Sequence, residues 1–148
     1  MHRAIGVVAW LVFCAWLLPT LAQPVGAPQN LQGTWVAATA NRDGQADADV
    51  VGHRLSFGGN RFSIQSSKGE RLYAGTVRVD ASAKPAAIDF EHAEGAASGK
   101  VWRGIYSLEG NTLRICDNAA NPDRNRSAAF DARTGSGYVL VTFTRAKP

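Results

Sequence analysis

The first strand-like segment of the chain opens with Leu31-Gln32-Gly33-Thr34-Trp35. A glycine lets the backbone pass closely at the end of a barrel, and the tryptophan two positions later supplies a large, rigid side chain for a core. The segment follows an apolar N-terminal stretch and a short polar one. This arrangement predicts a small, exported β-barrel.

Residues 1–22 have the three-part layout of a secretory signal. Met1-His2-Arg3 is the positively charged start, a long apolar run follows, and small residues precede a cut after Ala22. An uncleaved membrane anchor is the alternative, although Ala4–Ala22 barely reaches the roughly 20 apolar residues that span a bilayer. We expect cleavage and an exported protein, periplasmic or extracellular, that contacts a membrane only through this segment if it is kept.

Residues 23–30 contain two prolines and no periodicity, which predicts a flexible lead before a single domain at residues 31–146. The chain has 16 basic and 12 acidic side chains, and the two signs are interspersed. There is no basic stripe of the kind that nucleic-acid-binding proteins carry, so we expect no nucleic-acid partner. We interpret Arg124, Arg126 and Arg133 as part of a solvated loop, with an anion-binding patch as the alternative.

The remaining sequence alternates between strand-like runs and turns. Gly58-Gly59-Asn60 and Glu109-Gly110 are hairpin turns, because Gly and Asn accept the positive φ of tight turns. Turns roughly every 8–12 residues predict an all-β sandwich or an antiparallel barrel. The predicted strands are 31–40, 54–57, 61–65, 72–80, 87–91, 101–108, 111–116, a short run at 128–130, and 138–145.

The last strand favours a barrel. Val139, Val141, Phe143 and Arg145 share one face by the period of two, so Arg145 is aimed at the core and needs a partner. Trp35 is the candidate, because the first and last strands meet when a meander closes. An arginine over an indole contributes about 0.5–2 kcal/mol. The alternative is that Arg145 extends to solvent at the rim.

The pattern Gly33-x-Trp35 with Arg145 resembles that of lipocalins, in which the tryptophan and arginine close one barrel end. More specifically, the chain resembles a lipocalin-like domain family of uncharacterised exported bacterial proteins that is abundant in planctomycetes. The matching pieces are 31–35, 42–44, 55–57, 61–62, 75–76, 84–89, 104–116 and 135–137. The resemblance implies an eight-stranded antiparallel up-and-down lipocalin-like β-barrel, latched by Gly33, Trp35 and Arg145. It supplies no activity, and the chain departs from the family pattern at residues 121–129.

No catalytic constellation is recognisable in the sequence, so we expect no enzymatic activity, no cofactor and no metal. His53 and His92 lack ligands at metal-binding spacing, and we interpret both as surface residues. Asp43, Asp47 and Asp49 crowd one loop but lack the glycine and the terminal glutamate of a calcium-binding loop.

Cys116 is the remaining cysteine once the signal that contains Cys14 is removed. A lone cysteine in an exported protein is either a buried small hydrophobe or an intermolecular partner. Its apolar surroundings favour the buried position.

The function that these exclusions leave is binding. An eight-stranded barrel has room for its own side chains or for one small ligand. Trp102, Tyr106, Arg114 and Tyr138 are candidate ligand-binding residues, since aromatic and basic groups suit an apolar molecule with an anionic head. The alternative is that Trp102 and Tyr106 only fill the core.

We therefore expect a monomer that holds a small hydrophobic or amphipathic ligand at the barrel end opposite Trp35. A protein–protein interaction module, similar to periplasmic inhibitor barrels with a filled core, is the second hypothesis. Such inhibitors typically carry a disulfide, which this chain cannot form within itself after signal removal.

Overall fold

The computed structural model of the protein describes residues 26–148. The predictions for the signal segment, its cleavage site and the start of the lead fall on residues 1–25 and lie outside this range. Within residues 26–148, no helix has the length and apolar character needed to cross a membrane.

The described residues form one antiparallel sheet that closes on itself. Its strands are β1 (Gly33–Arg42), β2 (Gln45–Ala46), β3 (Arg54–Gly58), β4 (Arg61–Gln65), β5 (Arg71–Asp80), β6 (Ala87–Gly95), β7 (Val101–Glu109), β8 (Thr112–Asp117) and β9 (Val139–Arg145). β2 pairs only with the end of β1, whereas β1 also pairs with β3 and β9. The closed structure is therefore an eight-stranded up-and-down β-barrel, as the sequence predicts.

The predicted run at 128–130 is not a strand. It lies in the long connection between β8 and β9, residues 118–138. Since β8 already pairs with β7 on one side and β9 on the other, no strand edge is available to residues 128–130. The prediction of a strand there is wrong for this reason.

A β-bulge in β1 decides which side chains face the barrel interior. Trp35 and Ala37 are buried, and after the register shift between Ala37 and Thr39 the buried position is Ala40. The extra residue shifts the alternation by one position. As a result Arg42, two residues beyond Ala40, lies on the inner side of the barrel.

Arg145 packs over the indole of Trp35 at one end of the barrel, with its guanidinium carbon 4.1 Å from the ring centroid. The two residues are paired in register, and Trp35 is fully buried. The guanidinium also donates to the carbonyl oxygens of Gln32 at 2.9 Å and Asn30 at 2.7 Å. These contacts join the first strand, the last strand and the turn that precedes the barrel.

The described part of the lead is packed rather than free. Residues 29–31 form a 3-10 turn, Leu31 is fully buried, and Ala27 packs against the core. The carbonyl of Leu31 accepts a hydrogen bond of 2.9 Å from the indole N–H of Trp35. Within residues 26–30, the carbonyl of Asn30 accepts a hydrogen bond from Arg145 and that of Ala27 accepts one from the side chain of Gln32, so this part of the lead is attached to the barrel.

The connection 118–138 packs on the outer face of β7 and β8, where Ile105 and Cys116 are buried. The prediction of a buried Cys116 is confirmed, and its Sγ lies 3.7 Å from the carbonyl oxygen of Asp131. Arg126, expected in a solvated loop, instead donates to Asp89 at 2.5 Å and to the carbonyl of Gly104 at 2.8 Å. These bonds fasten the connection to the barrel wall.

Candidate functional site

A cavity of about 110 Å³ lies inside the barrel, towards the end opposite the Trp35–Arg145 pair. We call this end the mouth. Most of the cavity wall is apolar, and the polar contributors are Arg42, His53 and Asp117. The apolar lining consists of Val50, Leu55, Ile64, Tyr73, Phe90, Trp102, Ile115, Ala119, Val139, Val141 and Phe143.

Strand ends bring the polar groups of the cavity together. Arg42 is the last residue of β1 and Asp117 the last residue of β8, and both are paired in register with Val139 at the start of β9. His53 directly precedes β3, and its carbonyl oxygen accepts a hydrogen bond of 2.9 Å from the backbone N–H of Ala37. The three side chains therefore converge on one end of the barrel, two from strand ends and one from the residue before β3.

Asp117 is the acidic group of the cavity. Its Oδ1 accepts a hydrogen bond of 3.0 Å from the backbone N–H of Ala119. Burial raises the pKa of this carboxyl to about 6, against the opposing effects of that hydrogen bond and the charge of Arg42. Within the described chain Asp117 forms no ion pair, because Arg42 binds Asp47 through Nε at 2.7 Å.

His53 also lines the cavity, from a partly exposed position at the mouth. Burial lowers the pKa of its imidazole, and the charges of Asp47 and Asp49 act in the opposite direction. The segment that carries these aspartates joins β2 to β3 and folds over the mouth.

For His92 the interpretation as a surface residue is wrong, because it is only 5 % exposed inside the barrel. Its ring lies 4.0 Å from that of Trp102, 5.1 Å from Phe62 and 5.5 Å from Tyr73, measured between centroids. Neither ring nitrogen has a hydrogen-bond partner among the described residues. Burial lowers its pKa to about 4, so the imidazole is neutral at neutral pH.

No protein-family model, curated protein or solved structure matches the chain. The function is therefore inferred from the residues of the cavity. Within residues 26–148, no three or more His, Cys, Asp or Glu side chains are grouped to hold a metal ion.

The structure places the four candidate ligand-binding residues in different environments. Trp102 lines the cavity, whereas Tyr106 is buried in the core and does not border it. Arg114 lies outside the barrel, with its guanidinium carbon 4.7 Å from the ring centroid of Phe130. The hydroxyl of Tyr138 donates to the carbonyl of Asn125 at 3.0 Å, within the outer connection.

The polar residues of the cavity were not among the sequence candidates. The sequence pattern does indicate that Asp117 faces inward, since it continues the inward alternation of Leu113 and Ile115. Arg42 had no such signal, because the bulge that turns it inward leaves no mark in the polarity pattern of β1.

Proposed function

We propose that this protein is an exported, lipocalin-like binding protein that holds a small apolar or amphipathic molecule at the mouth of its barrel. The observation that carries this proposal is the cavity, with apolar walls and three polar groups at one end. Small-molecule sites combine apolar walls, which provide affinity, with a few polar groups, which fix orientation.

The cavity volume restricts the ligand to a small one. A dry apolar cavity of roughly 150 Å³ accommodates benzene, and this cavity measures about 110 Å³. A compact body of about five carbon or other heavy atoms fits, whereas a long acyl chain would extend out of the mouth.

A branched alcohol tests whether the cavity takes up a ligand. Isoamyl alcohol is expected to shift amide resonances of residues around the cavity in an NMR titration, because its apolar body packs against the apolar wall. Val141→Phe should abolish these shifts, since the added ring fills the cavity from β9.

Thr142→Phe is the matched control for that experiment. It adds a ring on the same strand at a position that does not line the cavity, and it should leave the shifts unchanged. Equal shifts in wild type and Val141→Phe would contradict binding in the cavity. Absence of any shift, together with capture of one specific protein, would favour the interaction-module hypothesis.

The proposed export rests on the N-terminal sequence and has its own test. Expression of the full chain in a bacterial host should release a processed protein, because the cut is placed after Ala22. Its intact mass should equal that of residues 23–148. A full-length chain recovered from the membrane fraction would instead support the uncleaved anchor.

A further inference from the structure

We infer that the ligand carries a positively charged head, an alkylammonium group, which pairs with the carboxylate of Asp117. Its apolar body lies against Trp102 and Tyr73 in the cavity. This inference rests on the proposed function, and it names the chemical class of molecule that the cavity takes.

The carboxylate of Asp117 is placed to receive such a head. β8 ends at the mouth with Asp117 on the same inward face as Ile115, and both residues line the cavity. Oδ1 accepts the backbone N–H of Ala119 at 3.0 Å, and the described chain supplies no hydrogen-bond donor to Oδ2. An ammonium group has three donors and can bond Oδ2 without displacing Ala119.

The charges around the mouth also favour a cation. Arg42 is already bound to Asp47 at 2.7 Å, so its charge is compensated. Among the side chains that line the cavity and the adjoining groove, Asp47, Asp49 and Asp117 outnumber the one arginine, and the imidazole of His53 is neutral at pH 7.5 because burial lowers its pKa. An anionic head at the same place would face an excess of carboxylates.

The sequence suggests an anionic head, and the structure removes the reason for that preference. The basic residue behind it was Arg114, whose guanidinium lies outside the barrel against Phe130. Nothing in the described structure brings Arg114 to the cavity wall. The acidic side chain of the cavity wall is that of Asp117.

The aromatic part of the wall suits a cation with a hydrocarbon body. Tyr73, Phe90 and Trp102 line the cavity, and the rings of Tyr73 and Trp102 meet edge to face at 5.0 Å. Aromatic faces attract cations and also pack against aliphatic groups. An alkylamine offers both properties in one small molecule.

Three probes with one branched body separate the effect of the head from that of the body. Isoamylamine, isoamyl alcohol and 4-methylpentanoate present an ammonium, a hydroxyl and a carboxylate on the same alkyl group. At about pH 7.5 the amine is protonated and Asp117 is ionised. In NMR titrations of the wild-type protein, the amine is expected to bind about tenfold more tightly than the alcohol, with the carboxylate weakest.

Asp117→Asn assigns the preference to one side chain. The amide keeps the shape and can still accept from Ala119, so the variant is expected to fold and to bind the amine no better than the alcohol. Asp123→Asn removes the same charge from an exposed position in the outer connection, and it should preserve the tenfold preference.

The outcomes distinguish this inference from the proposed function. If the alcohol or the carboxylate binds as tightly as the amine, the cationic head is overturned while cavity binding stands. If Asp117→Asn keeps the preference for the amine, the role of Asp117 is overturned. If none of the three probes shifts the cavity resonances of the wild type, the proposed function fails, and the inference fails with it.

Discussion

Replacing Trp35 with alanine is expected to lower the free energy of unfolding by about 3–5 kcal/mol, the range for large aromatic truncations in protein cores. Trp35 is fully buried, bonds the carbonyl of Leu31 at 2.9 Å and lies under the guanidinium of Arg145. Its removal leaves a cavity and also frees the end of the last strand. Urea unfolding at constant temperature measures the loss.

Trp102→Ala is the contrasting variant, because Trp102 is only partly buried and borders the cavity. It should cost less stability than Trp35→Ala and should change ligand shifts, whereas Trp35→Ala should leave them intact wherever the protein is folded. A Trp35→Ala protein that unfolds at the same urea concentration as wild type would contradict the structural role given to the Trp35–Arg145 pair.

Arg145→Lys tests the geometry of that pair rather than its charge. A lysine keeps the positive charge but lacks the planar fork that reaches both the Gln32 and Asn30 carbonyls. A loss of about 1–2 kcal/mol is expected, from one hydrogen bond and weaker stacking. An unchanged stability would show that charge alone holds the strand end.

The barrel could be predicted because its determinants are local. Alternation along each strand and turn residues such as Gly58-Gly59-Asn60 mark most strand ends to within one residue. The pairing of Trp35 with Arg145 followed from the period of two in the last strand, together with the closure of a meander. Each of these signals is contained within a few consecutive residues.

The interior of the mouth is only partly predictable in this way, since Asp117 continues a local alternation whereas Arg42 does not. Arg42 turns inward only because of the bulge between Ala37 and Thr39, which is a property of pairing with β9. His92 is buried because β6 continues to Gly95, beyond its predicted end at Glu91. The burial of Ile105 depends on the irregular connection 118–138, whose path over the outer face has no periodic signature.

The second large effect is expected in the pH dependence of stability, where His92 and Asp117 act in opposite directions. Burial lowers the pKa of His92 from 6.5 to about 4. The unfolded chain therefore takes up a proton that the folded chain does not, and stability falls as the pH drops through this window. From pH 7 to pH 4.5 this amounts to about 2 kcal/mol.

Asp117 compensates for this loss. Burial raises its pKa from 3.8 to about 6, so the folded protein takes up a proton that the unfolded chain does not, and stability rises as the pH drops from 6 towards 4. From pH 7 to pH 4.5 the gain is about 2 kcal/mol. These two groups together should change the stability of the wild type by less than about 1 kcal/mol.

Single substitutions should expose each contribution. Asp117→Asn removes the gain, so this variant should lose about 2 kcal/mol relative to wild type between pH 7 and pH 4.5. His92→Phe keeps a ring among Phe62, Tyr73 and Trp102 but removes the titration, so it should gain about 2 kcal/mol over the same interval. Urea unfolding at each pH gives both differences.

The double variant provides the decisive control. Other groups with shifted pKa values, such as His53, Asp80 and Asp131, are present in every protein compared, so their contributions cancel in differences from wild type. Without both His92 and Asp117, their opposite contributions to the pH dependence of stability are both removed. The free energy of unfolding of the double variant should therefore change with pH as it does in the wild type. A double variant that follows either single variant would mean that the two groups do not titrate independently, whereas a single variant with the wild-type profile would mean that its group is not held in the barrel interior as described.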